Sequence, residues 1–241
     1  MSNLPVSAII MAGGKGTRLL PLTKNLPKPL LKINQKPILS WIIELLWEHQ
    51  ITDISVSVSY LAESIVEFLQ QDEQYDSIKI LTEATPLDDI GILGITNPNF
   101  FENDSLLVIN ADLFTNINLS SFYHNFLKNG SDMAIATFIY KAVIPYGLIS
   151  SENNQVIRID EKPILEMEAN GGIYLFKKEL LHLIPNDKPY NAWQFINQLL
   201  NEKIYKLSVF LIEDLWIDIG SKESYERAEE AAKKLERECV E

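Results

Sequence analysis

Gly13, Gly14, Lys15, Gly16 and Arg18 stand together near the start of the chain, and Lys28 follows between Pro27 and Pro29. Glycines let main-chain N–H groups approach an anion, and cations hold it, so this combination suits a nucleotide polyphosphate. The spacing is not that of the P-loop, G-x-x-x-x-G-K-[ST]. It is not the dinucleotide fingerprint either, because the glycines read G-G-x-G and Pro21 with "NLPKP" keeps a helix from starting at once. The two prolines fix the backbone around Lys28. Its ammonium is thus presented at one place with little entropy loss, suited to stabilising charge on a transferring phosphoryl group. The plain alternatives are a tight connection with incidental charges and an exposed loop.

Two carboxylates stand out. Asp112 follows the apolar run "LLVIN", and Asp218 sits in "LWIDIG". A carboxylate at a strand end among bulky apolar residues is costly to desolvate without a partner. Mg²⁺ is one such partner, since it takes oxygen ligands and uses one or two carboxylates plus substrate phosphates. A turn cap or a lysine pair is the other. Glu213 and Asp214 read as solvated loop charges. His49, His124 and His182 lie in helix-like segments without ligand spacing. Trp41, Trp47, Phe122, Phe126, Trp193 and Phe195 read as core, and Trp216 as packing beside Asp218.

The surrounding pattern must position these residues. Val6 to Met11 reads as a buried strand, and Ile38, Trp41, Ile42, Leu45 and Leu46 follow helical spacing. "ISVSVSY" from Ile54 to Tyr60, Ile78 to Leu81 and Leu106 to Asn110 are further strands, with helical "AESIVEFLQ" between the first two. Alternation of this kind predicts a mostly parallel sheet covered by helices. The second half differs: Met133–Tyr140, Gly147–Ser150, Val156–Asp160 and Gly172–Phe176 are short strands close together, with "SENN" as a turn. Residues 222–238 form a charged helix with Ala228, Ala231, Ala232 and Leu235 as its apolar stripe. One domain with two subregions, 1–130 and 131–241, is expected.

The 241 residues are 46% hydrophobic and carry a net charge of −12. So acidic a chain argues against non-specific binding to nucleic acid or anionic membrane. No apolar run approaches the roughly 20 residues of a membrane span. "MSNLPVSAII" lacks a basic leader region, so no signal peptide is expected. The single cysteine, Cys239, reads as inert and fits a reducing, cytoplasmic setting.

"AGGKGTRLLPLT…PKPLLKI…KPIL" closely resembles the signature of the sugar-1-phosphate nucleotidyltransferases, and "NADLFTNI", "PYGLI", "EKP", "NGGIYLF" and "WIDIG" continue the likeness in the family's order. Within it, the wording most resembles short bacterial guanylyltransferases of the glucosamine-1-phosphate and mannose-1-phosphate types. The resemblance implies an α/β fold: a Rossmann-like three-layer sandwich with a mixed, mostly parallel central sheet and a small β-rich sugar-binding subregion. It places Ala12, Gly13, Gly14, Lys15, Gly16, Thr17, Glu83 and Asp88 on the nucleotide, Arg18 and Lys28 in catalysis, and Asp112 and Asp218 on Mg²⁺. Gly147, Glu161, Lys162 and Asn170 fall in the family's sugar-phosphate pocket. These types suit the task, since a glutamate accepts from two hydroxyls, a lysine holds a phosphate, and an asparagine both donates and accepts.

The implied reaction is transfer of a nucleoside monophosphate, with GTP the favoured donor, to a sugar 1-phosphate for bacterial surface glycan synthesis. UTP, dTTP and CTP are alternative donors, and a catalytically impaired nucleotide-sugar sensor is the rival. The partners are the triphosphate and the sugar phosphate, without nucleic acid or membrane; a monomer and a homodimer both stay open. Two segments depart from the pattern. "EATPLDDIG" carries Asp88 and Asp89 where the family has Gly and Thr, and "YNAWQF" replaces an acidic residue and proline. Carboxylates near a triphosphate are unfavourable unless they point away or bond the base. Guanine, with N–H donors on N1 and N2, is the base a carboxylate accepts from twice.

Overall fold

A computed structural model describes residues 3–186 and 188–238 of the chain; Cys239 lies outside them. The mostly apolar segment Val6–Met11, with Ser7 its one polar residue, makes a strand buried on both faces, as a central strand of a parallel sheet must be. Ala8 and Ile10 turn to one face, Ile9 to the other. On the first face lie the helix Ile38–Glu48, through Leu39, Ile42, Ile43 and Leu46, and the helices Leu119–Asn129 and Lys222–Glu238. On the second lie the short helix Ile92–Ile95 and the helix Ala192–Glu202, through Phe195 and Leu199. Each buried Ile or Leu contributes about 1.5–3 kcal/mol, so two such faces hold the three layers together.

Seven strands run in the order Leu207–Leu211, Met133–Val143, Ile164–Lys177, Ser105–Asn110, Val6–Met11, Asp53–Val58 and Lys79–Thr82. The pairings of Val6–Met11 with both neighbours, of Asp53–Val58 with Lys79–Thr82, and of Leu207–Leu211 with Met133–Val143 are parallel. Ile164–Lys177 is antiparallel to both its neighbours. The sheet is thus mixed and mostly parallel, as expected.

The second half differs from its sequence reading in extent. The strand expected from Gly172 begins at Ile164, because Gly171 and Gly172 do not break it. They sit in a bulge between Asn170 and Ile173, where Gly172 takes φ +71°. The expected strands at 147–150 and 156–160 form a small hairpin, Leu148–Glu152 with Gln155–Asp160. This arm is largely apolar and exposed at Val143, Tyr146, Ile149, Val156, Ile157 and Ile159. Trp193, read as core, is 60% exposed, since the helix beginning at Ala192 turns Phe195 and Leu199 inward instead. The stripe of the last helix is as expected, with Ala228 and Ala232 fully buried.

At the amino end of the parallel strands, Asp53 accepts hydrogen bonds from Ser7 Oγ, from Lys79 Nζ at 2.7 Å and from the Glu102 N–H at 2.8 Å. This ties three strand starts together at the edge opposite the cleft described next. Among the described residues, no helix is long and apolar enough to cross a membrane.

Candidate active site

Four parallel strands end at one edge, and the loops that follow them rim a cleft of about 650 Å³. These loops carry Ala12–Arg18, Ser59 and Tyr60, Glu83 to Asp89, and Asn110 to Asp112. Main-chain bonds extend the sheet register into them: Ala12 N–H donates to Ser57 O at 2.9 Å, Ala111 N–H to Met11 O at 3.1 Å. Gly16 takes φ +60°, where an added Cβ would stand 3.2 Å from Lys28 Cβ, and its carbonyl accepts from Thr23 Oγ1 at 2.8 Å. A glycine here lets the loop lie directly on the Pro-Lys-Pro turn. Lys15, Arg18 and Lys28 therefore face one cavity from a single stretch of chain.

Lys28 is only 7% exposed. Its ammonium lies 2.5 Å from Asp112 Oδ2 and 3.7 Å from Asp218 Oδ1, and Arg18 is 4.0 Å from the other oxygen of Asp218. The two aspartates, far apart in sequence, meet because Trp216–Asp218 pairs antiparallel with Leu113–Thr115. Asp218 stands opposite Leu113, and the Ile219 N–H donates to Asp112 O at 2.9 Å. Burial and the charge of Asp112 push the Asp218 carboxyl above its ordinary value, against the pull of Lys28 and Arg18. Asp218 Oδ1 is buried without a hydrogen-bond donor.

That orphaned acceptor fits a divalent cation. Two carboxylate groups converge on one point beside the cleft, and among the described residues no cluster of three or more His, Cys, Asp or Glu competes for a metal. Two protein carboxylates with room for phosphate oxygens are the donor set of a hard cation of the Mg²⁺ kind.

Glu83, expected on the nucleotide, is buried and both its oxygens are engaged. Ser57 Oγ donates to one at 2.9 Å and the Leu87 N–H to the other at 3.1 Å. It stiffens the loop that carries Pro86, Asp88 and Asp89. Asp89 turns away from the cations: its carboxylate accepts from the Ala192 N–H at 3.0 Å, at the start of the helix Ala192–Glu202. Burial pushes its carboxyl up, against the pull of those main-chain donors. Asp88 stays at the cleft, at φ +62°, with Asn191 Nδ2 donating to it at 3.3 Å. The two segments that depart from the family pattern therefore touch. Tyr190 N–H donates to Leu87 O at 3.1 Å, and Ile90 N–H to Tyr190 O at 3.2 Å.

The residues expected on the sugar side form two groups. Asn170 donates to Tyr174 OH at 2.8 Å and accepts from the Gly172 N–H, and Gly172 packs against Asn110, two residues from Asp112. Gly147 and Glu161 lie together on the arm, where a Cβ on Gly147 would meet Glu161 Oε2 at 2.8 Å; Lys162 follows at φ +46°. Glu161 and Lys162 are exposed and outside the lining of the cleft.

Sequence reasoning passed over Ser57, Ser59, Tyr60, Asn110 and Asn191. The alternation of "ISVSVSY" gave no sign that one of its serines holds Glu83, whereas "YNAWQF" was itself unusual. Trp216 is stacked 3.7 Å from Phe138 and its indole N–H donates to Gly171 O. His49 is held by Ser120 and its pKa is lowered by burial, away from the cleft.

The profile of the nucleotidyl transferase family matches residues 7–235. A D-glycero-alpha-D-manno-heptose 1-phosphate guanylyltransferase of Campylobacter jejuni is 33% identical over 91% of this chain and 97% of its own length. A UTP–glucose-1-phosphate uridylyltransferase of Synechocystis is 31% identical over 92% of this chain, which spans only 62% of that relative. The crystal structure of HddC from Yersinia pseudotuberculosis superimposes with a TM-score of 0.73 at 28% identity, covering 93% of this chain and 98% of that one. The same protein is also known complexed with GMP-PN, at a TM-score of 0.72 and 26% identity.

Proposed function

This chain belongs to the nucleotidyl transferase family, and from that premise we propose that it transfers a nucleoside monophosphate from a triphosphate to a sugar 1-phosphate. A phosphate oxygen of the sugar 1-phosphate attacks the α-phosphorus in line. The bond from that phosphorus to the oxygen bridging to the β-phosphate breaks, and pyrophosphate leaves. The nucleophile is already ionised, so positioning and charge neutralisation carry the rate. The observation that carries this reading is the Lys28 ammonium set between Asp112 and Asp218 beneath the glycine loop.

Lys15 and Arg18 hold the β- and γ-phosphates, the N–H groups of Ala12 to Thr17 cradle them, and Lys28 reaches the α-phosphate. Asp112 and Asp218 hold Mg²⁺, which when bound neutralises charge on the reacting phosphates. Lys162 fixes the sugar phosphate, while Glu161, Asn170 and the bare backbone at Gly147 receive the sugar. Residues 1–130 thus serve mainly the nucleotide and 131–241 mainly the sugar phosphate, within one domain of a cytoplasmic protein that supplies nucleotide sugars for surface glycans. GTP is the favoured donor; the relative named as a heptose 1-phosphate guanylyltransferase supports it, and the uridylyltransferase keeps UTP as the alternative.

The test is a matrix of triphosphates and sugar 1-phosphates, read as pyrophosphate release with and without Mg²⁺. Release with one or more pairs, abolished by chelation, is the expected result. Binding without release in every pair would replace this reading with that of a nucleotide-sugar sensor, which has no need of Asp218.

A further inference from the structure

The cleft is electrically lopsided. Lys15, Arg18 and Lys28 all come from the stretch that follows the first strand, while the segment from Glu83 to Asp89 brings carboxylates and no cation. A nucleotide lying in this cavity puts its polyphosphate against the cations, which leaves its base facing Tyr60, Pro86 and Asp88. The carboxylates differ in what they have left to offer there. Glu83 is buried with each oxygen already accepting a bond, Asp89 is turned onto the helix start, and Asp112 is paired with Lys28. Asp88 lines the cavity, exposed, and among the described residues the side chain that donates to it is Asn191, on one oxygen.

We propose that Asp88, steadied by Asn191, reads the base, its carboxylate accepting the N1–H and N2–H of guanine. This rests on the nucleotidyl-transfer reading above and names the determinant of its donor. Two parallel donors on the guanine edge match the two oxygens of a carboxylate, as a guanidinium does. The oxygen that accepts from Asn191 keeps a second lone pair for the base. Adenine and cytosine place an acceptor beside their amino group and would meet the carboxylate with like charge. Uracil and thymine offer one N–H flanked by two carbonyls. Asn191 acts through Asp88 and is a positioning residue. It and Asp88 come from the two segments in which this chain leaves the family pattern, so the paired changes form one device.

Inosine triphosphate, which lacks the N2 amine, isolates the contact. The wild-type kcat/KM should favour GTP over inosine triphosphate by about 10- to 100-fold, the worth of one charge-assisted hydrogen bond. Asp88→Asn should bring that ratio near unity while leaving the KM for sugar phosphate unchanged, and Asn191→Ala should narrow it partway. Asp88→Gly, which suits the positive φ, serves if Asp88→Asn does not fold. A wild-type ratio near unity, a preference for UTP or dTTP, or a full ratio retained without the Asp88 carboxylate would overturn the proposal. If no triphosphate turns over, the nucleotidyl-transfer reading fails on its own, and calorimetric titration with GDP and inosine diphosphate still decides. Tighter GDP binding lost in Asp88→Asn supports the base reader, and equal affinities overturn it.

Discussion

Lys28 places its ammonium 2.5 Å from Asp112 Oδ2 while its side chain is almost fully buried. In this arrangement the lysine stands where a cation between Asp112 and Asp218 would stand, so it and a bound metal compete for the same oxygens. On the proposed reading, an α-phosphate would give the ammonium a new anion and leave both carboxylates to the metal.

Replacing Lys28 with methionine keeps the packing and removes the charge. Turnover should fall about 10²- to 10³-fold, the scale for loss of one preorganised charge donor. Two facing carboxylates are then left unneutralised in the metal-free protein, so its melting temperature should drop and recover with millimolar Mg²⁺. Differential scanning fluorimetry with and without Mg²⁺ checks the second effect, and a pyrophosphate assay the first. A variant as active as the wild type would remove Lys28 from catalysis.

Charge on Asp218 is costly, since burial and the charge of Asp112 both raise its pKa. Asp218→Asn relieves that repulsion. The side chain is more than a third exposed, so solvent screening holds the gain in metal-free stability to roughly 0.5 kcal/mol. Activity should be lost and the thermal shift on adding Mg²⁺ abolished. Urea unfolding together with a Mg²⁺ titration would show this exchange of function for stability.

The parallel half of the fold was legible because Val6–Met11 and Ser105–Asn110 are mostly apolar, as strands buried on both faces must be, and because Asp53–Val58 alternates β-branched residues with serines. The ends of Val6–Met11 could be read off directly. The arm was harder: its short strands were expected, and only three dimensions show Val143, Ile149 and Ile157 uncovered. At the site, the glycine loop and Lys28 are local in the chain and were readable as one unit. The meeting of Asp112 with Asp218 depends on a three-residue strand pairing that leaves no periodicity. It came from family likeness, not from pattern. The bond between Asp88 and Asn191 joins two segments, each of which looked like an isolated oddity.

Gly13 faces Glu83 across the cleft, and a methyl group there would stand 3.0 Å from Glu83 Oε1 and 3.2 Å from Ser59 Cβ. Glu83 cannot retreat without giving up Ser57 or the Leu87 N–H. Gly13→Ala should therefore shift the loop that carries Asp88, raising the KM for triphosphate about 10-fold with a smaller change in kcat. Steady-state kinetics against triphosphate and sugar phosphate separately would locate the defect, and an unchanged triphosphate KM would show that the loop is not part of the nucleotide site.

Far from the cleft, Asp53 controls stability. Its side chain is 5% exposed. Burial pushes its carboxyl up, but hydrogen bonds from Lys79, Ser7 and the Glu102 N–H outweigh burial and leave the pKa below the ordinary carboxylate value. The unfolded chain therefore binds the proton more tightly than the folded one. The stability contributed by Asp53 is complete above the unfolded value of about 3.9 and is lost as pH falls through the lower folded value. Asp53→Asn should cost about 2–3 kcal/mol at pH 7, because it removes a charged acceptor from three donors. The difference between variant and wild type should shrink as pH is lowered from 5 towards 2. Urea unfolding at several pH values measures it. A difference that stayed constant over that range would mean that the cluster holds the strands by packing alone, with no part played by the charge of Asp53.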